Sequence, residues 1–142
     1  MDPIDRMLIE HECQKLILHY THLMDCGEWE SLAATFTEDA IFARPSSPDD
    51  VIHGRDNILA SFTARPAGIT EHVVTNIMVT VISDTEAAAR STVLLFPGKA
   101  EPGDKVASHA RDMPVVGHFV DNLRLENDRW LFSTRRGYLT IK

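Results

Sequence analysis

The feature that most constrains the fold is a run of four long β-type segments filling the chain from His72 onward. Each is rich in β-branched or alternating apolar residues, and together they span 72–83, 87–96, 115–126 and 129–140. The turn at 83–86 and the Asn127-Asp128 pair predict hairpins at two of the junctions. A loop with Pro and Gly, from Pro97 to about Met113, joins the middle two segments. This half of the chain therefore predicts an antiparallel sheet.

The first half follows a helical pattern. Asp2-Pro3 is a helix start and Gly27 a stop, which predicts an amphipathic helix of about six turns. A second helix is predicted from apolar residues at helical spacing: Trp29, Leu32, Ala33 and Phe36. A short strand over 39–43 and a third helix opening at Gly54 and ending before Pro66 follow. Helices ahead of an antiparallel sheet predict an α+β fold, with residues 1–142 as a single domain.

Charge and composition exclude several functions. Asp and Glu number 21 against 14 Lys and Arg, a formal net charge of −7 with no basic cluster, which argues against binding nucleic acid or an anionic membrane. The acidic N-terminus lacks the order of a signal peptide, so a cytoplasmic location is expected. Neither GxGxxG nor a P-loop occurs, and no cofactor is expected.

The cysteines and helix histidines favour structural or surface roles. Cys13 and Cys26 would lie ~20 Å apart on one helix, too far for a disulfide, which predicts reduced thiols used in packing. His19, His22 and Asp25 have i, i+3 and i+6 spacing. No second His or Glu pair completes a ligand set, so surface histidines are favoured over a metal site.

Several motifs in order resemble one known family. They are the run from Tyr20 to Leu32, Phe36-Thr37-Glu38-Asp39-Ala40, Gly54 before a short helix, His72-Val73-Val74-Thr75-Asn76, and the segment from Gly117 to Trp130. Together they resemble SnoaL-like proteins of the nuclear transport factor 2-like superfamily, which includes scytalone dehydratase, over nearly the whole chain. The resemblance implies a cystatin-like cone: a strongly curved antiparallel sheet around a long N-terminal helix, with an apolar cavity open at one end.

The resemblance also implies site residues. Lyases of this superfamily use an Asp near the end of the first helix and a His at the start of the first long strand, where Asp25 and His72 stand. Bile acid 7α-dehydratase also has a Tyr five residues before its Asp, matched by Tyr20. The second catalytic His of scytalone dehydratase has no counterpart, because the segment 87–96 lacks histidine.

The chemistry of the pair supports that interpretation. A carboxylate that accepts one imidazole N–H fixes the tautomer and leaves the other nitrogen free to take and return a proton. The alternative is an exposed Asp25 in a turn and a surface His72. On an ideal helix Asp25 lies about 140° from Tyr20, so both can face one cavity only if the helix distorts or ends early, which the nearby Gly27 would permit.

Further candidates have two interpretations each. Tyr20 is either a hydrogen-bond donor to a substrate carbonyl or a core residue. Asn76 is expected on the strand face of His72, as a substrate contact or a buried amide. In the segment 115–126, alternate residues form two faces, and only one of them points inward. If the face with Asp121 points inward, Asp121 is a buried carboxylate and a site candidate, and if the other does, His118 is the candidate. The first set, which is the more apolar and therefore favoured, is Phe119, Asp121 and Leu123, and the second is His118, Val120 and Asn122.

The resemblance, together with the chemistry of the pair, implies a cofactor-independent lyase of the dehydratase type acting on a small, cyclic, largely apolar hydroxy-carbonyl compound. Asp25, His72 and Tyr20 are the expected catalytic residues, and Asn76, Phe119 and Asp121 are the expected substrate-binding residues. The same pair would serve a polyketide cyclase or isomerase, since both reactions start by removing a proton next to a carbonyl. The remaining alternative is a non-catalytic binding module, or a subunit resembling the β chain of ring-hydroxylating dioxygenases. A homodimer or homotrimer is expected, because a curved sheet leaves an apolar outer face that proteins of the resembled superfamily bury in dimers or trimers.

Overall fold

A computed structural model describes residues 1–66 and 68–142. The helices are α1 (Pro3–Cys26), α2 (Trp29–Ala33) and α3 (Arg55–Thr63). The strands are β1 (Phe36–Ala43), β2 (Ile52–His53), β3 (Ile69–Val81), β4 (Glu86–Lys99), β5 (Ser108–His109), β6 (Val115–Glu126) and β7 (Arg129–Ile141). The architecture is the predicted α+β cystatin-like fold, with a long N-terminal helix against a curved sheet. In the described part of the chain, no helix is long and apolar enough to cross a membrane.

The sheet is mixed, which corrects the expectation of a purely antiparallel one. Its order is β2-β1-β7-β6-β4-β3, with β5 added to β4, and it stays open because β2 and β3 lie at its two ends. The four long strands pair antiparallel as predicted, but β1 pairs parallel with β7. The hairpin signals between neighbouring strands are local in sequence, whereas the β1–β7 pairing joins the two halves of the chain and has no local signal.

The start of β1 differs from the prediction that continued the second helix to Phe36. Helix α2 ends at Ala33, and Phe36 is the first residue of β1. Phe36 is buried in the core against which Trp29 packs, as the i+7 spacing predicted. It reaches that core as a strand residue paired with Phe132 and not as a helix residue. Burial of the large apolar ring therefore explains the pattern equally well for either type of structure.

Helix α1 begins and ends with the predicted caps. The side chain of Asp2 accepts a hydrogen bond from the backbone N–H of Ile4 at 2.8 Å, and Gly27 closes the helix with φ 68° in the left-handed region. The buried residues of α1 follow helical spacing: Cys13, Ile17, Tyr20 and Leu23. Helix α1 thus remains regular to Cys26 and does not end before Asp25, so the early end that Gly27 would have allowed is not present.

The inner face of the sheet encloses the core. On β4 the buried side chains are small, Ala87, Ala89 and Ser91 among them, and they share one core with Cys13 and Ile17 of α1. Small residues on a concave face leave the volume that a helix and a cavity require. The bulkier part of the core is a group of aromatic rings: Tyr20, Phe36, Phe42, Phe62, Phe119 and Phe132.

The two cysteines have different environments. Both thiols are free, as predicted. Cys13 is fully buried, and this burial raises the pKa of its thiol to about 12, so it serves packing. Cys26 is exposed and its Sγ lies 3.7 Å from Nε2 of His22, so the expected packing role is wrong for Cys26.

Candidate active site

The end of α1 meets the start of β3, and this brings Asp25 and His72 together. The carboxylate Oδ2 of Asp25 accepts the backbone N–H of His72 at 2.8 Å, and Oδ1 contacts the imidazole Nδ1. Thr70, two residues earlier on the same face of β3, donates its hydroxyl to Oδ1 at 3.2 Å. Three groups from one strand thus hold one carboxylate in place.

Both side chains of this pair are largely shielded from water. The exposed fraction is 19% for the side chain of His72 and 15% for that of Asp25. Because Nδ1 contacts the carboxylate, it carries the proton in the neutral ring, and Nε2 is left as the acceptor. The pair therefore has the arrangement of a general base whose tautomer is fixed by a carboxylate.

A cavity of about 360 Å³ lies beside the pair, and both His72 and Tyr20 line it. Its wall is mainly apolar, built from Met24, Phe42, Phe62, Val93, Leu95, Val115, Phe119 and Leu139. The loop after β1 contributes Pro45 and Ser46, and Arg44 lies at the end of β1. A cavity of this size is in the range that holds a small cyclic molecule.

The geometry of α1 separates the roles of Tyr20 and Asp25. The helix remains regular, so Tyr20 faces the cavity and Asp25 does not line it. Tyr20 and Asp25 point in different directions from a regular helix, so they cannot both face the cavity. His72 links them, because its ring contacts Asp25 and also lines the cavity. Asp25 therefore reaches the cavity only through the imidazole of His72, which it holds in place.

Tyr20 combines a core ring with an available hydroxyl. Its ring packs edge-on against Phe36, Phe119 and Phe132, with centroids 5.6–6.3 Å away. Its hydroxyl is buried and has no hydrogen-bond partner within the residues the structure describes. Burial raises the pKa of Tyr20, so the phenol keeps its proton and can donate it in a hydrogen bond.

Asp121 is buried on the inner face of β6, as are Phe119 and Leu123, while Val120 and Asn122 are exposed. The favoured face of this strand is therefore the one that points inward. Phe119 lines the cavity, but Asp121 does not. His118 is on the other face, where it stacks on Tyr138, and its Nδ1 lies 3.0 Å from the hydroxyl of Thr140.

Asp121 forms a buried ion pair with Arg135 of β7, with Nη1 of the arginine 2.6 Å from Oδ2. The guanidinium carbon lies 3.8 Å from the ring centroid of Phe119 and 4.3 Å from that of Tyr20. Burial raises the pKa of Asp121 to about 6, although Arg135 acts in the opposite direction. The pair thus forms a polar layer behind two of the rings that line the cavity.

Arg135 was not among the candidates from sequence. Counting back from the turn, with Glu126 opposite Arg129, would place Thr134 beside Asp121. A one-residue bulge after Asn122 shifts the register, so Arg135 is the partner instead. In the regular register Arg135 would face away from Asp121, so the hydrophobic pattern carries no signal for this pair.

Asn76 does not share the face of His72, and this expectation was wrong. A bulge between Thr75 and Met78 interrupts the alternation, and Asn76 adopts φ 51° in the left-handed region. Asn76 is consequently exposed and lies outside the cavity, whereas Ile77 faces the core.

The three polar residues at the end of α1 are not gathered around one point. Asp25 contacts His72, His22 contacts Cys26, and His19 lines a separate groove with Trp130. Among residues 1–66 and 68–142, no group of three or more His, Cys, Asp or Glu is arranged to hold a metal ion.

Fold and sequence together define the class of this protein. The chain belongs to the family of SnoaL-like domains, whose model matches residues 5–136. Its structural neighbours are scytalone dehydratase-like proteins of the nuclear transport factor 2-like superfamily, which confirms the resemblance seen in the sequence motifs.

Three solved structures illustrate the similarity. A proposed scytalone dehydratase from Novosphingobium aromaticivorans matches with a TM-score of 0.82 and 22% identity, over 99% of this chain and 89% of that one. A nuclear transport factor 2-like protein with a cystatin-like fold from the same organism matches with a TM-score of 0.71 and 24% identity, over 94% and 84%. A type 2 hexachlorocyclohexane dehydrochlorinase matches with a TM-score of 0.77 and 17% identity, over 99% and 93%. No curated protein matches this sequence.

Proposed function

We propose that this protein is a lyase of the dehydratase type that removes water from a small cyclic hydroxy-carbonyl compound by general acid–base catalysis. The single observation that carries the proposal is that His72 contacts Asp25 through Nδ1 while lining the same cavity as Tyr20. The family and the dehydratase and dehydrochlorinase among its structural neighbours support an enzyme of this superfamily.

The reaction needs two proton transfers at one nitrogen. Nε2 of His72 takes the proton from the carbon next to the substrate carbonyl, and the electron pair of that C–H bond becomes part of an enolate. The C–O bond at the neighbouring carbon then breaks, a C=C bond forms, and the imidazolium returns its proton to the leaving hydroxyl as water. Asp25 holds the ring in one tautomer and stabilises the imidazolium between these steps.

Tyr20 would stabilise the enolate. Tyr20 lines the cavity, its buried hydroxyl has no hydrogen-bond partner among the described residues, and its raised pKa keeps the phenol a donor. A hydrogen bond to the substrate carbonyl oxygen strengthens as that oxygen gains charge, which lowers the barrier to proton removal. The apolar wall excludes water and strengthens this interaction.

The cavity itself favours an enzyme or a binding protein over a purely structural subunit. Side chains do not fill the interior beside Tyr20 and His72, which leaves about 360 Å³. A cyclase or isomerase would use the same first step, because it also begins with a proton next to a carbonyl. Analysis of the products distinguishes elimination of water from ring closure.

The test uses 3-hydroxy-1-tetralone, a bicyclic β-hydroxy ketone whose loss of water gives fluorescent 1-naphthol after tautomerisation. We expect the wild-type protein to accelerate naphthol release, and His72→Ala to lose about 10²–10⁴-fold of this rate. His118→Ala is the matched control, because His118 lies on the other face of β6, outside the cavity. Equal rates for wild-type protein and a folded His72→Ala variant would refute the proposal.

A further inference from the structure

The charge of the cavity is opposite to that of the whole chain. The protein carries a formal net charge of −7. The cavity lining nevertheless includes Arg44, Arg65 and Arg111, and no Asp or Glu lines it among the residues that the structure describes. An acidic protein with a mainly apolar cavity bordered by guanidinium groups has concentrated positive charge at that cavity.

Arg44 lies nearest to the aromatic wall. Its Nη2 donates to the backbone carbonyl of Ser61 at 3.0 Å and contacts Oγ of the same residue at 3.2 Å. Its guanidinium carbon lies 4.8 Å from the ring centroid of Phe62 and 5.7 Å from that of Phe42. Its Nε is buried and has no hydrogen-bond partner in the described part of the chain. The group is thus fixed by neutral partners and keeps donors unused.

Arg65 places a second positive charge at the same aromatic ring. Its guanidinium carbon lies 5.7 Å from the centroid of Phe62, and its Nη1 lies 3.5 Å from Sδ of Met24, a weak acceptor. Burial lowers the pKa of Arg44, and the neighbouring charge of Arg65 lowers it further. Tyr20 and, to a smaller extent, exposed Asp50 raise the pKa of Arg44 and partly offset this effect. Neither arginine forms an ion pair within residues 1–66 and 68–142.

We propose that the cavity takes an organic anion: a cyclic, largely apolar molecule bearing a carboxylate that Arg44 and Arg65 bind. The inference rests on the proposed function in assigning the same cavity to substrate, and it adds an acidic group to the hydroxy-carbonyl framework. Guanidinium forks match carboxylates, and the bond is strong where water is partly excluded. The ring system would pack on the aromatic wall, which places the carboxylate at the arginines and the reactive carbon toward His72.

The experiment measures equilibrium binding and needs no turnover. Titrations of 2-naphthoate and of its neutral isostere 2-naphthamide are compared at low ionic strength by calorimetry. We expect the wild-type protein to bind the carboxylate at least about tenfold more tightly than the amide. Added salt should reduce this preference, because Arg65 and Arg111 line the cavity and are exposed to solvent.

Three variants locate the effect. Arg44→Gln and Arg65→Gln should each lower the preference for the carboxylate severalfold, and the exposed position of Arg65 makes its variant safe for folding. Arg6→Gln is the control, because it removes the same charge from an exposed position of α1 that does not line the cavity. The Arg6→Gln variant should prefer the carboxylate over the amide to the same degree as the wild-type protein.

The outcomes separate this inference from the proposed function. Equal affinities for carboxylate and amide, or no binding of 2-naphthoate, would overturn the inference while the tetralone assay still decides the chemistry. A preference that survives both arginine variants would also overturn it.

Discussion

The carboxylate of Asp25 contacts both the backbone and the side chain of His72, with Oδ2 accepting the backbone N–H at 2.8 Å and Oδ1 at the imidazole Nδ1. The ring is therefore oriented with respect to its own strand as well as to helix α1. A base held in this way loses little conformational entropy when it reaches the geometry of proton transfer. The connection between α1 and β3 consequently fixes the orientation of the proposed base.

Asp25→Asn should reduce turnover of the hydroxy ketone by about 100-fold or more while the protein stays folded. The asparagine has one acceptor oxygen for two N–H groups, so the tautomer of His72 is no longer fixed. Thr70→Val removes one hydrogen bond to the same carboxylate, and we expect a loss of less than about tenfold. Equal losses for the two variants would show that the carboxylate charge is unimportant. Initial rates and circular dichroism provide the measurements.

The carboxyl group of Asp121 should titrate near pH 6, to be followed by carbon-detected NMR. Burial is the main cause of this raised pKa, compared with 3.8 for an ordinary aspartate. At pH values between these two pKa values, Asp121 is more protonated in the folded protein than in the unfolded chain. Its contribution to the free energy of unfolding therefore increases as pH falls from about 6 to 4. The difference between wild-type protein and Asp121→Asn isolates this effect. A difference that is flat over that range would contradict the assignment.

The ion pair between Asp121 and Arg135 should show strong coupling. Asp121→Leu alone leaves a buried guanidinium without its partner, and we expect a loss of about 3–5 kcal/mol in the free energy of unfolding. The double variant Asp121→Leu with Arg135→Met removes both charges and should lose much less than the sum of the two single losses. Urea unfolding of the four proteins tests this. Additive losses would mean that the two charges do not interact.

The bulge in β3 should depend on the backbone freedom of Asn76. Its φ of 51° is tolerated by Asn and Gly but strains a β-branched residue. Asn76→Val should cost about 1–2 kcal/mol of stability, whereas Asn76→Gly should remain within about 0.5 kcal/mol of the wild-type protein. Because position 76 is exposed, neither variant changes a buried contact, and their difference in urea unfolding reports the strain of the left-handed backbone. Equal stabilities would show that the bulge relaxes without cost.

Sequence reasoning predicted the elements whose signals are local. The turn at Asn127-Asp128 and the alternation around it gave β6 its observed bounds, Val115–Glu126, and the caps gave the ends of α1. The resemblance supplied Asp25 and His72, which the structure brings into contact. Residue periodicity alone could not have joined them, since they lie on different elements.

The remaining features depend on irregular backbone or on distant contacts. The bulge at Asn76 moved that residue out of the face of His72, and another brought Arg135 to Asp121. A single bulge leaves no clear mark in a hydrophobic pattern. It nevertheless shifts the alternation by one residue, so that the residues beyond it point to the opposite face from the one that regular alternation predicts. Arg44 and Arg65 form no run of positive charge along the sequence, and only the fold brings these separate arginines to one cavity.

The parallel pairing of β1 with β7 has a consequence for the order of folding. Phe36 lies beside Phe132, so this contact forms only after most of the chain has been enclosed in one loop, with the corresponding entropic cost. The hairpins of the second half can form earlier, because their contacts are local. We therefore expect the cavity wall to be completed late: Phe42, at the far end of β1, joins Phe119 only when the first and last strands of the chain have met.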